Sequence, residues 1–130
     1  MTKEKELLLQ DLSARLPYGV KVKFNNIHIL RLGTHTRVGE YVTDVIEPCK
    51  PYLFPMSSMT KEQKREYHQS TSKDIDMLQD VILERINGKD NNNNHAIAYN
   101  GIDWLNANHF DYRGLIPMGL AIDATDKNIY

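Results

Sequence analysis

A chain of 130 residues with 41% hydrophobic and 25% charged residues fits one globular domain with a single core, and this composition excludes disorder of the whole chain. Sixteen basic residues nearly balance 17 acidic ones, for a formal net charge of −1. That balance speaks against a dedicated duplex-DNA binder, which needs a basic excess to replace phosphate counterions, and equally against an acidic DNA mimic.

The single cysteine, Cys49, cannot form an internal disulfide, and no Cys/His spacing matches a zinc site, so Cys49 reads as a buried bystander with no metal or cofactor implied. The opening Met-Thr-Lys-Glu-Lys-Glu carries no apolar signal core, and no apolar run approaches the ~20 residues of a membrane span. The expected location is the cytoplasm, with no membrane partner.

Residues 3–16 read as a helix, with Leu8, Leu9, Leu12 and Leu16 on one face and Gln10, Asp11 and Arg15 elsewhere; Pro17 and Gly19 stop it. Val20, Val22 and Phe24 alternate with Lys21 and Lys23, the period of a half-buried strand. Asn25-Asn26 suits a hairpin turn, Ile27–Leu32 the return strand, and Gly33–Thr36 a further turn. Val38–Ile46, rich in β-branched and aromatic residues, predicts a third strand.

Residues 47–59 carry three prolines and predict an irregular apolar loop covering a sheet edge or face. Thr60 and Gln63 have capping-box spacing, so a charged helix is expected over 61–68. A second helix is expected from Ser72 or Lys73, with Ile75, Leu78, Ile82 and Ile86 in a stripe and Asn87-Gly88 ending it. Asn91–Asn94 reads as an exposed loop, 95–99 as a fourth strand, and 101–108 as a short helix capped by Asn100. Residues 114–122 should pack irregularly. The fold class is therefore α+β: an antiparallel sheet of three or four strands with two or three helices packed against it.

The densest set of chemically capable groups lies at 104–113, where Trp104, Asn106, His109, Asp111, Tyr112 and Arg113 offer an indole, an amide, an imidazole, a carboxylate, a phenol and a guanidinium. Such groups can stack on a planar base, hydrogen-bond its edge and pair a phosphate. The bland alternative puts Trp104, Phe110 and Tyr112 in the core, with Asp111 and Arg113 as a local ion pair. A third possibility sets His109 as a general base oriented by Asp111. No nucleophile motif or phosphate loop accompanies that pair. The pattern favours a non-catalytic site over an enzyme.

Three blocks resemble a known group. They are residues 7–22, Leu-Leu-Leu-Gln-Asp-Leu-Ser-Ala-Arg-Leu-Pro-Tyr-Gly-Val-Lys-Val; residues 49–60, Cys-Lys-Pro-Tyr-Leu-Phe-Pro-Met-Ser-Ser-Met-Thr; and residues 104–121, Trp-Leu-Asn-Ala-Asn-His-Phe-Asp-Tyr-Arg-Gly-Leu-Ile-Pro-Met-Gly-Leu-Ala. In that order they resemble a family of small, largely uncharacterised proteins of phages, prophages and mobile elements of gut Bacteroidetes. Phe54 stands where the family commonly has arginine, and Asn108 where it has histidine; 62–100 shows no resemblance.

The resemblance implies an accessory protein acting on host defences. The leading expectation is a homo-oligomeric sponge for a small nucleotide-like immune signal. In that reading Trp104 or Tyr112 stacks, Asn106 or His109 reads the base edge, and Arg113 holds phosphate. The alternatives are an inhibitor that contacts a host defence protein through Tyr52, Leu53 and Phe54 or the helix at 61–68, and a small phosphodiesterase or nuclease using His109 and Asp111.

Overall fold

The computed structural model describes residues 2–25, 28–45, 47–71 and 101–130. The chain divides into two compact units, Met1–Ser58 with His109–Tyr130, and Met59–Asn108. The fold is α+β.

The first unit opens with α1 (Lys3–Arg15), whose Thr2 side chain accepts a hydrogen bond from the Lys5 N–H. A 3₁₀ turn, Leu16–Tyr18, follows, and Gly19 closes it in the left-handed region at φ +68°. Leu8 and Leu12 face the core as expected. Asp11 and Arg15 do not lie off that face: both are fully buried. Positions 8, 11, 12 and 15 form one helical stripe, so this charged pair occupies two of its core-facing places.

Strand β1 (Lys21–Phe24) pairs antiparallel with β2 (His28–Arg31), and Asn25 takes φ +55°, as the hairpin reading requires. The expected strand at 38–46 is instead a short helix, α2 (Gly39–Val42). The reason is burial. A strand burying Val38 and Val42 would place Glu40 on the same face, whereas a helical turn buries both valines and leaves Glu40 exposed.

The proline-rich segment is not an irregular cover. It forms β3 (Lys50–Pro55), the central strand of the sheet, followed by a 3₁₀ turn at Met56–Ser58. Proline's fixed φ fits an extended chain, and the strand's other residues still supply ladder donors and acceptors. Leu53 C=O accepts from Ala124 N–H at 2.9 Å, while Phe54 N–H donates to His109 C=O at 2.8 Å. Beside β3 run β4 (Phe110–Asp111) and β5 (Ile122–Asp123), both parallel to it. The sheet is thus mixed, with its antiparallel part at β2-β1-β3. The core beneath it gathers Leu8, Leu12, Val20, Val22, Leu32, Val38, Val42, Cys49, Leu53 and Leu115. Burial pushes the Cys49 thiol up to about 12, so it is inert at neutral pH.

In the second unit the capping box is formed: Thr60 Oγ1 accepts from Gln63 N–H, and Gln63 Oε1 accepts from Thr60 N–H. It starts α3 (Lys61–Thr71), a charged helix that over 61–69 is mostly exposed and buries Tyr67. Residues 101–107 are helical, and Trp104 meets the Tyr67 ring edge-on at 5.2 Å. The expected helix from 72 or 73, the Asn91–Asn94 loop, the strand at 95–99 and the Asn100 cap lie outside the described residues. Among the described residues no helix is long and apolar enough to cross a membrane.

Candidate functional site: a cationic and aromatic cluster

The run 104–113 is divided between the two units. Trp104, at 9% exposure, and Asn106, at 2%, belong to the second unit, where Trp104 packs on Tyr67. His109, Asp111, Tyr112 and Arg113 belong to the first. There the fold joins three of them to residues from the start of the chain.

The last turns of α1 deliver Asp11 and Arg15, four residues apart and so on one face. Arg15 Nε donates to Asp11 Oδ2 at 2.9 Å with both side chains fully buried. Arg113 Nη1 donates to the other oxygen, Oδ1, at 2.7 Å. One carboxylate thus carries two guanidinium groups. Arg15 Nη2 also donates to Phe110 C=O at 2.6 Å, but its Nη1 is buried without a partner. Both guanidiniums lie over the Tyr112 ring, at 5.2 Å for Arg15 and 4.8 Å for Arg113.

Asp111 has a different role. Its two oxygens accept the backbone N–H groups of Leu115 and Ile116, each at 2.9 Å, and so tie down the turn that begins after Arg113. It pairs neither Arg113 nor His109. The Nδ1 of His109 is buried without a partner, so the base-and-orienter arrangement that the His-x-Asp spacing suggested is not formed at that nitrogen.

His109 sits at φ +63° and stacks on the Tyr130 ring, with centroids 3.7 Å apart and planes 11° apart. Its pKa is lowered to about 4, first by burial and then by the positive charges of Arg15, Arg31 and Lys21, so it is neutral at neutral pH. Arg31 reaches the cluster across Gly19. A Cβ on Gly19 would stand 2.4 Å from Arg31 Nε, so glycine serves there both the left-handed turn and the close approach. Lys21 Nζ donates to Ile129 C=O at 2.5 Å and lies 5.7 Å from the Tyr130 centroid.

Asp11, Arg15, Lys21, Arg31 and Tyr130 were outside the sequence-derived site. The signal for two of them was present: an Asp and an Arg four apart on the leucine face of a helix demand a partner when buried. The cluster holds four cations against the carboxylates of Asp11 and Asp111, and two of its buried nitrogens lack hydrogen bonds. Such a site is short of an acceptor and of negative charge.

Elsewhere, Tyr52 and Leu53 are buried in β3 and Phe54 is half-buried, so this stretch does not offer the apolar contact surface expected of it. A separate cleft of about 270 Å³ is lined by Lys23, Asn25, Glu47, Pro48, Lys50 and Ile122, but it has no unpartnered buried polar atom. Among the described residues no three His, Cys, Asp or Glu side chains are grouped to hold a metal. No family model, no curated protein and no solved structure matches this chain.

Proposed function

We propose that this protein binds and sequesters a small nucleotide-like molecule without transforming it. The observation that carries the reading is the cationic surplus around Asp11, with the unpartnered Arg15 Nη1 and His109 Nδ1 beside stacked aromatic rings. A phosphate supplies the missing negative charge, and a flat base suits the rings. The setting is the one implied by the resemblance at 49–60 and 104–121: a phage-type accessory protein in the bacterial cytoplasm that removes an immune signal, working as a homo-oligomer.

Native mass spectrometry of the protein after incubation in lysate from phage-challenged cells tests this. A stoichiometric increment of a nucleotide's mass, released intact on denaturation, is expected, together with a subunit count above one. Arg31→Ala, at an exposed side chain, should lose the increment and keep the fold. Arg113→Ala should do the same, because Asp11 keeps Arg15 as its partner. No increment under any condition would refute the reading, and an unfolded Arg113→Ala would make that arginine structural.

A further inference from the structure

Tyr130 occupies a slot with unusual walls. One face of its ring is covered by the His109 imidazole at 3.7 Å, nearly parallel. Phe54 lies against it at 5.9 Å with a 51° tilt, and the Lys21 ammonium stands 5.7 Å from the centroid. At the polar end, the hydroxyl accepts from Lys21 N–H at 2.8 Å and donates to Tyr52 C=O at 2.9 Å. Those two backbone groups have a history in the sheet. The β1–β3 ladder pairs Lys23 with Lys50 and Val22 with Pro51, and the next pair in that register is Lys21 with Tyr52. The pairing stops there, and the phenol oxygen spans the gap between a free strand donor and a free strand acceptor.

A nucleobase meets the same requirements more fully. It has two π faces for stacking and carries a donor and an acceptor side by side on its Watson–Crick edge, where a phenol must use one oxygen for both. Tyr130 is also open to solvent, with 41% of the residue exposed, so an incoming group can reach it. Its hydroxyl stays neutral, since burial pushes its pKa up to about 12, so it answers none of the surrounding positive charge.

We propose that the Tyr130 ring is a built-in competitor in a base-binding slot made by His109, Phe54, Lys21 N–H and Tyr52 C=O, and that a nucleotide's base displaces it while the phosphate meets the surrounding cations, Arg31 and Arg113 among them. This rests on the nucleotide-binding reading above and adds where the base sits and what it expels. The affinity measured for the intact protein is then reduced by the fraction of molecules in which the slot is closed.

The test is calorimetric titration of wild type, Tyr130→Ala and Tyr130→Phe with the common ribonucleoside 5′-monophosphates and with ribose 5-phosphate. The best-bound nucleotide should bind Tyr130→Ala about tenfold more tightly than wild type, the range set by losing one competing stack. Ribose 5-phosphate, which has no base, should bind both alike. Tyr130→Phe keeps the ring and loses only the bridging oxygen, so a smaller gain is expected, and it carries the test should the alanine variant fail to fold. In wild type, ring-to-ring NOEs between His109 and Tyr130 should vanish on saturation with that nucleotide. Unchanged or weaker nucleotide binding by the Tyr130 variants, with those NOEs persisting in saturated wild type, overturns the slot and leaves the nucleotide-binding reading standing. Failure of all three proteins to bind either a nucleotide or ribose 5-phosphate overturns both.

Discussion

The Asp11 carboxylate pairs both Arg15 and Arg113, and its removal separates structure from binding at the residue scale. Asp11→Ala leaves the buried Arg15 charge without its counterion and should destabilise the fold by about 3–5 kcal/mol. Arg113→Ala removes a partly exposed guanidinium and should cost only about 1 kcal/mol. Urea denaturation of the two variants at neutral pH checks the contrast. His109 makes a prediction in pH. Its folded pKa, about 4, lies below the ordinary 6.5, so between those values the unfolded chain binds the proton and the native protein does not. Stability must therefore fall as pH drops from 6.5 towards 4. His109→Asn, which tolerates the left-handed backbone at this position, should flatten that part of the profile in thermal melts recorded across the window.

Elements differ in how far their own residues decide them. The capping box of α3 is local: two residues three positions apart, Thr60 and Gln63, hold both donors and both acceptors. Thr60→Ala should lower the stability of the second unit by about 1 kcal/mol, and Trp104, the single tryptophan and a neighbour of Tyr67, reports it by fluorescence. Asp111 does a comparable job for the turn after β4, with a larger penalty. Asp111→Ala orphans the Leu115 and Ile116 N–H groups, and with the first of these buried the expected loss is about 2–3 kcal/mol, measured by urea denaturation. Where an element's form depends on what it packs against, local residues mislead. Val38–Ile46 has strand-forming side chains, yet the need to bury Val38 and Val42 without Glu40 makes a helical turn of its start. The three prolines at 48, 51 and 55 argue for a loop, yet Lys50–Pro55 is the central strand, because β1, β4 and β5 all pair with it and an extended chain accommodates proline's fixed φ.

For the whole molecule, a net charge of −1 conceals a local excess of cations around Asp11 and His109. Binding of an anionic nucleotide there should weaken several-fold as salt rises from low to physiological, because Arg31 is exposed and its field is screened; titrations at several ionic strengths check this. The α+β class, the opening helix, the β1–β2 hairpin and the capping box could be read from the chain alone, since each rests on residue periodicity or on hydrogen bonds spanning a few positions. Of the residues singled out in the sequence, His109, Tyr112 and Arg113 lie in the cationic and aromatic cluster. The rest depended on distance along the chain. Arg113 finds Asp11 102 positions away, and Tyr130 finds the Lys21 N–H 109 positions away. No periodicity encodes such pairs, because they follow from burying the leucine face of α1 against the sheet with a charged pair still on it. The same folding sent Trp104 and Asn106 to the other unit, so that neighbours in sequence were divided between units while the two ends of the chain came to share one set of charges.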